Sequence, residues 1–587
     1  MKRFHQINVW MLTAALCGCT VAATHAQEQL TREMTLEREY DPTVQDANRV
    51  NRLPEVKEPA VTKRPIDYSP FTIPAEPERE ITVLPSGDTG TEISHGRRRG
   101  YFHFGGGMYA NLSGDLGYHI IDNARGQLAL YVTHRSTNGN VKFPEEYGID
   151  RRRAKLNDNL VRLDFDHAVG PNATLNLGAS YGYTGFNYYG RSFIHPLSSM
   201  IATGDTATGQ VNQTVAFNFG LAGTGNDRFG YMVGVDFRHF DQKYGWTTKE
   251  DGIRENRVSP RFDLSLFLGD ASRRIGLAGA LDFFDYSYPQ FYNHNDSTGY
   301  RNRLEATATP YFAIENEAWR LRLGANVMFV NGDSLTVFAS PNVSVEARVA
   351  ERTVFYADAL GEIGSNDAYA LSRVNRYMDH SVGVRPSRTW LDARLGIRSG
   401  IAPGFQLDVF AGYRVTKDAT FFIPLYALPT GHDFMSYSAA LQTDATRLHA
   451  GAAFKYAWRD LVDFSLRGVY NQWTLDAARP GLAGGADMKP YGMPVAELNA
   501  DLTVRPVKPL VLTLGYYLGA GRYMLGDIYQ EVKMKDIHDL NLSGAWNFND
   551  TFGAYLRLNN VLFRQHELIY GYPVQGFNAM AGININF

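Results

Sequence analysis

Residues 319–329 read Trp319-Arg320-Leu321-Arg322-Leu323-Gly324-Ala325-Asn326-Val327-Met328-Phe329. The odd positions are apolar throughout, whereas the even ones are mostly polar or small. Successive side chains point to opposite faces of a strand, so this stretch is a β-strand with one greasy face and one wet face. The same alternation runs through Phe229, Tyr231, Val233, Val235 and Phe237, through Phe405, Leu407, Val409, Ala411, Tyr413 and Val415, and through Val462, Phe464, Leu466 and Tyr470. A soluble sandwich also alternates, so length has to decide. These runs cover about 10 to 15 residues, longer than an ordinary strand of five or six and long enough to cross a bilayer at a tilt.

The connections agree with a membrane crossing. Short polar turns occur at Gly170-Pro171-Asn172, Gly225-Asn226-Asp227, Gly269-Asp270-Ala271-Ser272, Glu315-Asn316-Glu317, Ala402-Pro403-Gly404, Arg459-Asp460, Pro506-Val507-Lys508-Pro509 and Asn549-Asp550. Mostly longer loops fall between them, near 137–158, 186–210, 241–254, 288–300, 364–386, 418–444, 475–491, 526–536 and 565–576. Short turns at one end and long loops at the other describe an outer-membrane barrel with periplasmic turns and surface loops. Counting runs gives strands starting near 101, 112, 126, 159, 173, 211, 227, 255, 273, 301, 318, 335, 353, 387, 404, 445, 461, 492, 509, 537, 551 and 577. The expected fold is therefore all-β, a transmembrane antiparallel barrel of about 22 strands over residues 101–587, within a range of about 20 to 24. The first hairpin has to turn within the glycine-rich stretch Tyr101 to Ile121, near Ala110 to Gly114. Tyr286, Tyr288, Trp319, Trp390, Trp458, Trp473 and Trp546 lie near strand ends, where interfacial girdles sit.

Composition fits once alternation is recognised. The chain has 587 residues with 34 Tyr, 34 Phe and 56 Gly, yet its mean hydropathy is only −0.29, because lipid-facing residues are averaged against a wet lumen and polar loops. After residue 26 no apolar run is long enough for a spanning helix. A formal charge of −3 argues against a dedicated nucleic-acid binder, which needs a basic face. Both cysteines, Cys17 and Cys19, lie in the first 20 residues, which leaves neither a disulfide nor a Cys metal site for the barrel.

Residues 1–26 have the build of a signal peptide: Lys2 and Arg3, an apolar stretch from Val9 to Leu16, and Thr24-His25-Ala26 ahead of the expected cleavage. Leu16-Cys17-Gly18-Cys19 offers a lipobox as the competing reading. Residues 27–100 carry eight prolines among charges of both signs and form an extended periplasmic or lumen-docking segment. Within it, Leu30 to Tyr40 has helical spacing, and Glu80 to Leu84 alternates like a strand that could be added to another sheet edge.

At the other end, Phe577, Ala579, Ala581, Ile583, Ile585 and Phe587 share one face of a final strand. A terminal Phe587 on such a strand resembles the signal read by the outer-membrane assembly machinery. Leu556-Arg557-Leu558-Asn559-Asn560-Val561-Leu562-Phe563, then Tyr570-Gly571-Tyr572-Pro573 and Gly576-Phe577, resembles the C-terminal segment of TonB-dependent receptors over about 35 residues. With the Ala-Gln junction and the Tyr- and Asn-rich barrel, this resembles the Bacteroidota type. The resemblance implies solute passage or uptake across the outer membrane. It also implies a folded plug, for which residues 27–100 are too short, so the tail, inward loops or a partner would have to occlude the barrel unless it is an open pore. Glu80-Ile81-Thr82-Val83-Leu84 faintly resembles a TonB box, but it precedes the barrel with no plug between, and TonB coupling is not carried over.

Residues two apart on a strand face the same side, about 7 Å apart. On that basis Arg162 with Asp164, Asp236 with Arg238, Arg320 with Arg322, Asp392 with Arg394, Asp408 with Arg414, Asp463 with Arg467, and Arg557 are the candidate lumen lining. They read either as a salt-bridged wall or as a solute path without strong charge selectivity. Loop aromatics at Phe186 to Tyr189, Phe291-Tyr292, Phe421 to Tyr426 and Phe434 to Tyr437 suit loop packing, sugar stacking or a surface protein. Asn293 to Ser297 lacks the Gly and Glu that complete a calcium loop, and no histidine adjoins a nucleophile motif. No enzyme activity, metal or cofactor is expected. Expected partners are outer-membrane lipids, the assembly machinery during insertion, and a periplasmic or surface lipoprotein. The alternative to transport is a barrel subunit of a surface or envelope-assembly complex in which a partner replaces the plug.

Overall fold

A computed structural model describes residues 98–191, 209–225, 228–244, 252–269, 272–287, 300–332, 335–380, 383–424, 438–476, 488–526 and 531–587. The signal-peptide reading, the tail up to residue 97, the girdle residue Tyr288, the Asn293 to Ser297 loop, Phe291-Tyr292, Leu425-Tyr426 and Phe434 to Tyr437 lie outside the described residues.

Among the described residues, 22 strands form one closed antiparallel sheet. They begin at residues 100, 112, 126, 151, 173, 209, 229, 254, 273, 303, 319, 335, 353, 387, 405, 438, 462, 496, 510, 537, 552 and 578. Each strand pairs with its neighbours in sequence, and the ring closes where Gly100–Gly107 pairs with Asn578–Asn586. Gly100 and Phe587 exchange backbone hydrogen bonds of 2.8 and 2.9 Å. Closure satisfies every edge of the sheet, which the bilayer requires because lipid offers no partner to a bare N–H or C=O.

Two strands start well before their expected positions, Arg151–Ala168 and Ser438–Trp458. Their early residues carry no period-two apolar signal, because the outward face has left the lipid band, while inward Ala154 and Leu441 pack into apolar clusters of the loops. The ladder nevertheless continues: Arg151 to Leu156 pair with Thr137 to Lys142, and Ser438 to Thr443 with Ala419 to Pro424. The first hairpin turns slightly earlier than expected, at Met108–Ala110, with Tyr109 and Ala110 both at positive φ.

Large apolar side chains such as Leu163, Phe217, Val235, Leu323, Val327, Leu395 and Ile583 are exposed on the outside. This is the lipid face. Trp319, Trp390, Trp458 and Trp546 are exposed with it, as a girdle would be. Two expected girdle residues are not. Tyr286 is buried in a loop core, and Trp473, on the opposite parity from exposed Tyr470, packs 5.9 Å from the Phe421 ring. Trp390 owes its outward position to a register shift between Thr389 and Leu391.

The closing seam is paved with glycine. Gly105 and Gly582 are register partners, and the phenol of Tyr555, from the Phe552–Asn559 strand, lies across both. A Cβ at either position would overlap that ring.

Candidate functional site

Apart from Leu160, beside Arg162 and Asp164, and Trp390, displaced by its register shift, the exposed large apolar side chains of each strand lie on the parity opposite its candidate lumen residues. The ion pairs run mainly between strands. Arg162 does pair with Asp164 at 2.7 Å. Asp236, however, meets Arg261 of the next strand, while Arg238 turns to Glu255 and Asp367. Asp408 accepts from Tyr356 Oη at 2.7 Å and has Arg394 and Arg398 at 3.8 and 3.9 Å. Arg414 reaches Glu362 at 2.7 Å and Asp392 at 3.3 Å. Asp463 pairs with Arg505 at 2.6 Å, and Arg467 lies over the Phe410 ring. Arg320 bridges Glu315 and Glu346 at 3.0 Å each, and Arg322 caps the Tyr311 ring at 3.8 Å. Arg557 lies over the Tyr555 ring at 4.8 Å. Antiparallel neighbours sit closer than residues two apart on one strand, so cross-strand pairing dominates.

Arg238 leads to a feature that residue pairs on single strands do not reveal. Asp367 belongs to the loop joining the Thr353–Gly364 and Ser387–Ala402 strands, and it caps a short helix, α1 (Ala368–Val374). Its carboxylate accepts from the Ala370 N–H at 2.8 Å, as an N-cap aspartate does. Arg238 donates to Asp367 at 3.0 Å and to Glu255 at 3.1 Å, and Glu255 in turn accepts from the Ala368 N–H at 2.7 Å. The Arg238 guanidinium also lies 4.1 Å from the Tyr369 ring centre. Ser365 is held by Glu305, through its hydroxyl at 2.6 Å, and its carbonyl accepts from Arg303. Within the loop, Arg238 and Arg257 hold the Asp367 carboxyl below the ordinary carboxylate range against the effect of its burial.

Beyond α1 the loop crosses the mouth. Residues 377–379 add as a short parallel bridge to Ser438, with Ser438 N–H donating to Tyr377 at 2.9 Å and Asp379 N–H to Ser438 at 2.8 Å. Tyr377 then stacks on Tyr572 of the last loop, 3.6 Å between ring centres and 11° between planes. Phe186, Tyr188 and Tyr189 surround the pair. His380 follows, buried, with Ser372 Oγ at 2.8 Å and Tyr300 Oη at 3.4 Å; burial lowers its pKa to about 4, so the ring is neutral at pH 7. The wall residues that this one loop touches belong to the strands starting at 173, 229, 254, 273, 303, 405 and 438, spread around the ring.

The last loop, 560–577, is fixed in the same way. It carries a small hairpin, Glu567–Ile569 with Tyr572–Pro573. Arg522, 2% exposed, donates to the carbonyls of Glu567 at 2.7 Å and Lys535 at 3.1 Å. Tyr147 donates to the Glu567 carboxyl at 3.0 Å. Burial raises Glu567 to about 7, and burial with Arg522 nearby lowers His566 to about 4. Three apolar clusters join these loops: one around Tyr377 and Tyr572, one around α1, and one around Met524, Met534 and Tyr570. The aromatics Phe186, Tyr188, Tyr189 and Phe421 are buried in this packing, as is Ile423.

Ile583 and Phe587 face outward on the closing strand, alternating with buried Asn584 and Asn586. Ile585 shares their parity, and Phe577 precedes the strand and stacks on Phe563 at 4.9 Å. The fold and its surface thus define an outer-membrane β-barrel. No protein-family model and no curated protein sequence matches the chain. Among solved structures it is similar to TonB-dependent receptor barrels. A mutant of the ferric enterobactin receptor PfeA of Pseudomonas aeruginosa matches with a TM-score of 0.59 at 10% identity, over 85% of this chain and 81% of that one. The iron transporter FrpB of Neisseria meningitidis matches at 0.61 with 11% identity over 83% and 81%, and the copper transporter OprC at 0.59 with 11% identity over 85% and 81%. At these identities the likeness is one of fold.

Proposed function

We propose that this chain is a non-catalytic outer-membrane barrel of the TonB-dependent-receptor type, admitting a solute through a mouth that its own surface loops close. The observation that carries this reading is the 365–386 loop, held at one end by Arg238, Glu255, Arg303 and Glu305 and at the other by Tyr572. In this reading the loop does from outside what a folded plug does from within. The cross-strand Arg–Asp lattice then lines the path below it as a wall of both signs, which gives little selectivity between anions and cations.

Single-channel recording in planar bilayers tests it. The full chain should be closed or nearly so, and a variant with residues 368–384 replaced by a short Gly-Ser link should show steady conductance. If the full chain conducts steadily by itself, loop closure is wrong. If the loop-deleted barrel stays silent but opens when residues 27–97 are also removed, the tail is the principal plug.

A further inference from the structure

The outer end of the Arg151–Ala168 strand carries charge of one sign. On this strand Val161 and Leu163 are exposed to lipid, so the odd positions face outward. Arg151, Arg153 and Lys155 continue that column and are exposed, while Ala154 between them is buried inward. The neighbouring strand adds Lys142 directly opposite Arg151, with Asn140 opposite Arg153 and Asn138 opposite Lys155. Four cations and two amides therefore share one outward face. The acid paired with this column is Asp150, 4.0 Å from Arg151. Like charges at directly opposed positions and at about 7 Å along a strand repel, so the arrangement is unfavourable unless an anion covers it.

Its height identifies the anion. Tyr183 pairs with Asn159 and Tyr181 with Val161, an aromatic pair at the upper edge of the apolar band. Lys155 lies four residues beyond Asn159, about 13 Å along the strand and about 9 Å along the membrane normal at a 45° tilt. Arg153 and Arg151 follow at about 5 Å intervals. The side chain of Lys155 reaches down to the headgroup layer of the outer leaflet, and Arg153, Arg151 and Lys142 stand above it, at the level of the sugars that an outer-leaflet glycolipid carries. The strand end is also held in place: Arg152, pointing inward, donates to the Gly190 carbonyl at 2.5 Å, and Lys155 N–H donates to Asn187 at 2.7 Å.

We propose that Lys142, Arg151, Arg153 and Lys155 form a binding face for the phosphate groups of an outer-leaflet glycolipid. The two asparagines are placed to bond its sugar hydroxyls, and the Tyr181–Tyr183 pair meets its acyl chains. This face is on the outside of the wall and independent of what passes through the lumen.

Native mass spectrometry of the full-length barrel in detergent tests this, with diphosphorylated lipid A as probe and its enzymatically dephosphorylated form as control. The wild type should retain the phosphorylated lipid with about tenfold or greater preference. Each basic side chain near an anionic surface contributes about a fivefold factor, so Arg151→Gln/Arg153→Gln/Lys155→Gln should weaken retention roughly a hundredfold. Heat-modifiable migration on gels shows that the variant is folded; Arg151→Gln/Arg153→Gln serves if the triple variant is not. The proposal fails if the folded variant holds the lipid as tightly as the wild type, or if the dephosphorylated lipid binds equally well. It also fails if millimolar inorganic phosphate displaces the lipid, since the face would then be a free-phosphate site.

Discussion

Arg238 is the side chain whose loss should separate the loop from the wall. Arg238→Met keeps the aliphatic stem but removes a guanidinium that lies between Glu255 and Asp367, whose side chains are 0% and 2% exposed. Breaking a buried pair by removing one partner costs about 3–5 kcal/mol, because the orphaned charge stays behind. The Tyr369 contact adds about 1 kcal/mol. Against this, Glu255 and Asp367 keep their bonds to Ala368 and Ala370, and Arg257 remains 3.9 Å from Asp367, so the lower end applies. A loss of about 3 kcal/mol lowers the docked-to-undocked ratio of the loop by about two orders of magnitude. The strand ladder is untouched, so the barrel should stay folded on gels. Hydrogen exchange of the 368–380 amides should accelerate by about that factor, and conductance should appear. Adding Glu255→Gln and Asp367→Asn removes both orphaned charges while keeping the cap, and should recover most of the protection. If Arg238→Met leaves exchange and conductance at wild-type levels, the ion-pair anchor does not hold the loop and the reasoning is refuted.

Other outcomes follow from the same geometry. Tyr377→Ala removes a ring stacked on Tyr572 and leaves a buried void, so the far end of the loop should loosen by about 3 kcal/mol, visible as faster exchange confined to 375–380 and 570–574. Glu567 is raised to about 7 by burial and holds its proton more tightly docked than free, so its contribution is present at acidic pH and lost as pH rises through about 7. His566, lowered to about 4, works the other way and weakens docking as pH falls below its unfolded value toward 4. The two windows overlap between about pH 4.5 and 6.5 and offset there, so after correction for intrinsic rates Glu567→Gln should leave the His566 effect alone, with exchange at 566–573 slowing as pH rises from about 4 to 6.5; a variant whose pH profile matches that of the wild type would sink the assignment. Gly105→Val should weaken the closing seam by pushing a side chain into Tyr555, lowering the gel unfolding temperature, and Tyr555→Ala in the same chain should partly restore it.

Period-two alternation carried the barrel because lipid enforces it: Trp319 to Phe329 could be read without any neighbour. Above the lipid that enforcement ends, which is why the starts at Arg151 and Ser438 were hidden behind polar residues. Lumen parity was equally legible, but partners were not, since a strand sequence does not state its register. Asp408 lies on the same face as Arg414 yet bonds Tyr356, 52 residues away, and Arg238 finds its second carboxylate 129 residues away. One local sign of the mouth was available: Asp367 directly before Ala368-Tyr369-Ala370-Leu371 is an N-cap ahead of helix formers, in the middle of a long loop. A capped helix in a surface loop implies something for its apolar side to pack on.

The meeting of Gly100 with Phe587 also governs how the barrel can be made. Those residues are separated by the whole ring, so the final pairing has the highest sequence separation in the molecule and waits for the Asn578–Asn586 strand. Until then any partial sheet presents two bare edges, each a template for the wrong partner. The glycines at Gly105 and Gly582 make this last edge thin enough for Tyr555 to lie across it once it zips. Between synthesis and insertion, then, the chain depends on being kept apart from its own copies.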